Sequence, residues 1–352
     1  MTTMKILCSA DWHLDAPMAA GDDGLRKELL AVPGRIAELC KQEQCDLVLL
    51  AGDLFDGAYT PESVNALRSA LAEMAVPVFI APGNHDHMGI GPWKTEIFPD
   101  NVFIFTEPHM TTVAVPELNA WVCGAGYTSM DCPALLEGFH ASDPEATTIG
   151  ILHGDPTVAT SPNCPITRQQ VEHSGLNFLA LGHIHKGDSF TAGRTLCAWP
   201  GCPMGHGYDE QGEKGVLIVT IDDTATARFV TLDTPRFYDL TTDAGDDAVA
   251  AIDALLPAAG DSHYYRITLT GPSRMLDMAA LQSRFDRFPH LTLRDRTTPP
   301  LDIWGDAGSD SFEGTYFGLL RQALDTAEDK DTVLLAAKIS RQLLEGQEVS
   351  LP

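Results

Sequence analysis

Positive charge is scarce in this chain: 23 Lys and Arg against 49 Asp and Glu leave a net charge of −26 over 352 residues. Neutralising phosphates needs cations, so a protein that holds nucleic acid by its own bulk field is excluded. Long apolar runs are also missing, since no stretch reaches the roughly 18 residues that a membrane-spanning helix needs. The start, MTTMKILCSADWH, passes from an apolar stretch into polar residues without a cleavage-type small-residue site, so a cytoplasmic, non-exported protein is expected. Eight cysteines form no C-x-x-C pair and no dense framework, which reads as reduced, buried thiols. Cys197 and Cys202 are close in sequence, but the Pro-Gly between them suits a turn. There is no internal repeat.

What is present is enough apolar material, 44% of residues, for real cores. At about 150 residues per domain the length suggests two domains. From Met4 to about Leu232, short apolar runs alternate with helical stretches, the pattern of a layered α/β domain. KILCSA, LVLLAG, VPVFIAPG, TTIGILHG and NFLALGH read as buried strands ending in Gly, Asp, Asn or His. A helix over 24–44, interrupted at Pro33, and another opened by Thr60 and Pro61 separate the first three. After GHIH, the segments SFTAGRTLCAWPG, GVLIVTID and TARFVTLD read as antiparallel strands that extend or face the first sheet. The polar, turn-rich stretch 233–247 is the expected boundary. The domains are then 1–235, a small α/β unit at 236–300, and a linker with helical tail at 301–352.

Chemistry gathers where these strands stop. Asp11 and His13 follow the first, Asp53 the second, and Asn84, His85 and Asp86 the third; His153 comes later, and His183 and His185 follow the last. Residues just beyond the carboxyl ends of strands in an open α/β sheet converge on one crevice. Leaving aside His85 and Asp86, that crevice would hold three hard oxygen donors and four imidazoles, a set for Mn, Fe, Zn or Co rather than for calcium. Residues two apart on extended backbone point the same way, so D-x-H and H-x-H each aim two side chains into the pocket if strand geometry persists. Seven ligands exceed one tetrahedral ion and suit two ions sharing a carboxylate.

The order D-x-H, GD, GNHD, H, GHxH resembles the calcineurin-like metallophosphoesterase superfamily over residues 4 to about 232. DWHLDAP, AGDLFD, APGNHD, LHG, LGHIHK and WPGCPMGHGYDEQGEKG resemble more narrowly the bacterial DNA repair exonucleases of the SbcD and YhaO type. The resemblance implies a four-layer β-sandwich flanked by helices, with a small C-terminal α/β cap domain and a helical tail. It implies that Asp11, His13, Asp53 and His185 hold one metal while Asp53, Asn84, His153 and His183 hold the other. His85 matches the family's catalytic histidine, and Asp86 would orient its ring. Asp56 stands where archaeal and eukaryotic members carry a second functional His. His87 and His206 have no counterpart and read as solvated loop residues. The ions implied are two divalent metals, manganese first, with iron or zinc as alternatives.

Acidity limits how such an enzyme meets DNA. Residues 1–235 carry 12 basic and 30 acidic side chains, a balance of −18, and 236–352 carry 11 and 19, a balance of −8. Arg284, Arg287, Arg294 and Arg296 form the most basic stretch and are the candidate backbone contact. Binding to DNA alone is expected to be weak, with affinity supplied by a partner. The resemblance implies a coiled-coil ATPase of the SbcC or YhaN kind, docked on helices within 316–344. A second copy of the chain is a further candidate partner, and no membrane is expected. The leading function is a two-metal DNA exo- or endonuclease subunit. A small-substrate nucleotide phosphodiesterase or phosphatase is the alternative, and a non-catalytic scaffold of the same fold the third.

Overall fold

A computed structural model describes residues 3–19, 21–142, 146–346 and 349. The chain divides into two compact units, Met1–Tyr238 and Asp239–Pro352. In the first, the strands are β1 (Met4–Ser9), β2 (Leu47–Leu50), β3 (Val78–Ile80), β4 (Val102–Ile104), β5 (Thr111–Val115), β6 (Ala120–Gly124), β7 (Thr147–His153), β8 (Phe178–Gly182), β9 (Lys186–Ala192), β10 (Thr195–Gly201), β11 (Gly215–Ile221) and β12 (Ala225–Thr231). Its helices are α1 (Asp23–Glu43), α2 (Pro61–Met74) and α3 (Arg168–His173). These strands build two six-stranded sheets rather than one open sheet, in the orders β12-β11-β1-β2-β3-β4 and β5-β6-β7-β8-β10-β9.

The strands that carry motifs are therefore split: β1 to β3 lie parallel in one sheet, β7 and β8 parallel in the other. The antiparallel strands after GHIH are divided too, β9 and β10 joining the second sheet and β11 and β12 the first. Ile6, Cys8, Leu49, Phe79, Val122, Ile151, Phe178 and Val219 share the buried core cluster between these strands. Strands covered on both faces read as near-continuous apolar runs, as LVLL and FLALG do. Helix α2 starts as expected: Thr60 accepts from Ser63 N in a capping box, with Pro61 opening the first turn. Helix α1 runs unbroken through the buried Pro33, which the sequence pattern treats as an interruption.

The second unit holds the sheet β13-β14-β15, from β13 (Phe237–Asp243), β14 (Tyr264–Thr270) and β15 (Leu291–Asp295), with helices α4 (Ala248–Asp253), α5 (Met278–Ser283), α6 (Phe312–Thr326) and α7 (Lys330–Leu344). The stretch 237–243, placed in a turn-rich boundary by its polarity, is thus a strand whose exposed face carries polar residues. No helix among the described residues is long and apolar enough to cross a membrane.

Candidate metal centre

Strand geometry does not persist at the motifs. Asp11, His13, Asp53 and His183 all have positive φ, at 56°, 47°, 51° and 97°. Such backbone is costly for residues other than glycine and survives only where its surroundings over-determine it. Here neighbouring turns brace one another: Asp11 N donates to Gly52 O at 3.0 Å, His13 N to Asp53 O at 3.0 Å, and Leu14 N to Leu54 O at 2.9 Å. His183 N donates to Asp11 Oδ1 at 2.9 Å, which ties the second sheet to the first at the rim they share. A Cβ at Gly52 or Gly83 would stand 2.7 or 2.8 Å from His153 Nδ1, so glycine is what lets the ring in.

The structure brings all seven expected ligand residues together. Asp11, Asp53 and His153 share one cluster of candidate ligand atoms, and Asp11, His13 and His185 another. Asp53 Oδ2 lies 3.2 Å from His153 Nε2 and 3.8 Å from His13 Nε2, central to both. Asn84 Oδ1 lies 3.0 Å from His153 Nε2 and 3.2 Å from His183 Nδ1. Asp11, His13, Asp53, Asn84 and His153 are buried, while His183 and His185 are partly exposed.

Proton bookkeeping shows what this arrangement wants. His153 Nδ1 meets the carbonyl of Ala51 at 2.8 Å, an acceptor only, so Nδ1 carries a proton and Nε2 is the nitrogen left to face a metal. Nε2 faces the oxygens of Asn84 and Asp53. His13 Nδ1 likewise faces Asp56 Oδ1 at 3.3 Å, and His185 Nδ1 contacts Glu210. Their Nε2 atoms then oppose each other 3.1 Å apart. Acceptors aimed at acceptors repel unless positive charge sits among them, and the donor set suits a divalent transition metal. In the metal-free protein protons supply that charge, and a bound metal would displace them. Burial alone would strip charge from His153, but Asp53 outweighs it and pushes the pKa up to about 9. Burial would likewise raise Asp53, yet His153 holds it well below the usual carboxylate range. His183 is lowered, first by burial and then by His153.

His85 stands at the edge, its side chain 43% exposed, with Nδ1 2.5 Å from Asp56 Oδ1 and its backbone N–H donating to Asp53 Oδ1 at 2.8 Å. The bond from Asp56 raises the His85 pKa. Asp86 does not orient this ring, contrary to expectation. Its carboxylate accepts from Gly83 N at 2.7 Å, Leu54 N at 2.8 Å and Asp53 N at 3.3 Å, so it braces the turns that carry Asp53 and Asn84. Burial, then Asp53, push its pKa up to about 7. Asp56 takes the orienting part instead, because its place three residues beyond Asp53 lies against both His13 and His85.

Two further residues lie in the WPGCPMGHGYDEQGEKG motif, where the sequence alone gives them no role. His206 is not a solvated loop histidine: its side chain is 13% exposed and its ring lies 5.0 Å from that of His13. Glu210 contacts both His185 and His206. The signal available was the GHGYDEQGEKG segment, whose role cannot be assigned without knowing where its loop returns. His87 stays within its own loop, its Nδ1 accepting from Gly89 N at 3.1 Å. The four arginines are exposed but do not form one face. Arg287 pairs with Asp253 at 2.6 Å beside Phe288, on the side of the small sheet where Phe288 meets Tyr265. Arg294 lies opposite Thr268 in the register and, by strand alternation, points away from the side that Tyr265 lines.

Comparison with known proteins places this site. The pattern described as calcineurin-like phosphoesterase matches residues 4–187. A protein of Bacillus subtilis (strain 168) named uncharacterized metallophosphoesterase YhaO is 30% identical over 246 residues, covering 63% of this chain and 58% of that relative's length. Among solved structures, TT1561 of Thermus thermophilus shows 14% identity over 65% of this chain and 99% of its own, with a TM-score of 0.41. A dimetal phosphatase from Danio rerio shows 12% identity over 66% and 98%, with a TM-score of 0.42. With more than half of its length matched and every motif at the shared rim, the chain belongs to the calcineurin-like phosphoesterases, a family of metal-dependent phosphoester hydrolases.

Proposed function

We propose that this protein is a two-metal phosphodiester hydrolase that cuts DNA as the nuclease subunit of an SbcCD-like repair complex. The observation that carries hydrolysis is the ring of ligand atoms around Asp53, in which imidazole nitrogens, the Asn84 amide oxygen and the Asp53 carboxylate crowd together at 3.0 to 3.8 Å and need positive charge among them. In this reading Asp11, His13, Asp53 and His185 hold one divalent ion and Asp53, Asn84, His153 and His183 the other. Manganese is the first choice, with iron or zinc as alternatives. When bound, such a pair clamps phosphoryl oxygens and lowers the pKa of water. The protein's own part falls to His85. With Nδ1 on Asp56, its Nε2 is left to give a proton to the departing deoxyribose oxygen. Asp56 keeps that proton on the ring.

DNA as substrate rests on the SbcD- and YhaO-like motifs, and the balance of −26 assigns most of the affinity to a partner. Helices α6 and α7 support docking on a coiled-coil ATPase. They pack around Phe317 and Ala337, with Arg341 stacked 3.8 Å over Phe317, and leave Phe312, Leu319 and Leu343 exposed. A second reading, hydrolysis of free or cyclic nucleotides, is favoured by the same acidity, because small anions need no extended basic surface. The test compares cleavage of linear duplex DNA with that of cyclic and free nucleotides in manganese, with a chelator control. Cutting of duplex ends that stops with chelator is expected; turnover of nucleotides alone would transfer the conclusion to the second reading.

A further inference from the structure

Four hydrogen-bond donors from three residues converge on one carboxylate outside the expected ligand set. Glu210 lies between β10 and β11, its side chain 16% exposed. One oxygen meets His185 Nδ1. The other accepts from His206 N at 2.8 Å, His206 Nδ1 at 2.9 Å and Cys202 Sγ at 3.4 Å. From there His206 Nε2 reaches the carbonyl of Trp12 at 3.3 Å, in the turn between Asp11 and His13.

His185, Cys202, His206 and Glu210 bring their polar atoms within 4.8 Å of one another and could pass for a metal site of their own. The bonding argues otherwise, because the lone pairs of Glu210 are already taken by donors from each of the other three. A filled carboxylate of this kind is an anchor. A histidine that holds a metal through one nitrogen is commonly oriented by a carboxylate on the other, which fixes both tautomer and ring direction. Here the anchored nitrogen is His185 Nδ1, and the free one, Nε2, lies 3.1 Å from His13 Nε2.

We infer that Glu210 is a positioning residue: it holds His185, and through His206 the Trp12 turn, so that the Nε2 atoms of His185 and His13 face the same cation. This rests on the two-metal reading and adds to it that one of the two ions depends on a residue that never touches it. His153 and Asn84, which hold no bond to Glu210, belong to the other ion.

The experiment uses the whole chain, stripped with chelator and titrated calorimetrically with Mn²⁺, as wild type, Glu210→Ala and Glu210→Gln. The Gln variant keeps the side-chain shape and one acceptor oxygen, so it guards against loss of the fold. Wild type should bind two ions. Glu210→Ala should weaken one of them by about 10- to 100-fold and leave the other unchanged, with Glu210→Gln intermediate and turnover of a model diester restored by excess Mn²⁺. Folded variants that bind both ions as wild type does would overturn the inference alone, as would an equal loss at both ions. A wild-type protein that takes up no Mn²⁺ would overturn the two-metal reading beneath it.

Discussion

The two sides of Asp53 are built on different supports. On the inner side His153 is fully buried, and its Nδ1 is held by a backbone carbonyl, Ala51 O. On the outer side His13 and His85 share the carboxylate of Asp56, and His185 leans on Glu210. A carbonyl at the end of a central strand cannot titrate, and no substitution removes it. A carboxylate side chain can be replaced, protonated or moved. The inner half is therefore fixed by the fold itself, while the outer half is set by replaceable side chains.

The largest effect that separates the halves should come from His85, an outer residue that holds no ion in this reading. His85→Asn is expected to lower kcat on a model diester by roughly 10² to 10⁴ while both Mn²⁺ ions still bind. Uptake of fewer ions by that variant would show that His85 belongs to the metal set. A smaller effect tests support directly. His153→Ala removes the partner of a buried carbonyl and should cost the metal-free protein about 1–3 kcal/mol in urea unfolding. His185→Ala, partly exposed and bonded to a side chain, should change the metal-free stability far less. Equal losses would erase the distinction between the halves.

The same contrast explains what could be read from the chain. The seven expected ligand residues could be picked out because each lies at or within a few residues of the end of a buried strand, and a strand's apolar run marks its own end. That they meet at a rim shared by two sheets was not legible, since nothing in LVLL or FLALG says which sheet will take it. Strands β4 and β5 are short, partly exposed and alternate weakly, so they resemble loops. Asp86 was misread because adjacency to His85 suggested contact, whereas the tight turn sends consecutive side chains opposite ways, Asp86 into the backbone amides and His85 outward. Glu210 and His206 were invisible for a further reason. Their importance comes from a loop return over roughly 200 positions to Trp12, which leaves no local periodicity. The arginines of 284–296 look like one patch only when the sheet that separates Arg287 from Arg294 is ignored.

The subtlest expected effect concerns Asp56, which serves His13 and His85 at once. Its pKa lies below the usual carboxylate range, first through the bond with His13 and then through that with His85, so it stays charged across neutral pH. The stabilisation it lends is complete there and fades only as pH falls through its lowered value. For His85 the sign is opposite: Asp56 raises its pKa, so the ring keeps its proton further into the alkaline range than a free imidazole does. If that proton goes to the leaving oxygen, turnover falls as pH rises through the His85 pKa. Asp56→Asn removes the charge that holds the proton, so the alkaline limb of the kcat profile should move to lower pH. The ion on the inner side, whose ligands apart from the shared Asp53 are remote from Asp56, should stay bound at wild-type affinity. An alkaline limb that stays in place would mean that His85 is not the group giving up its proton there, and the outer half would have to be rebuilt around another donor.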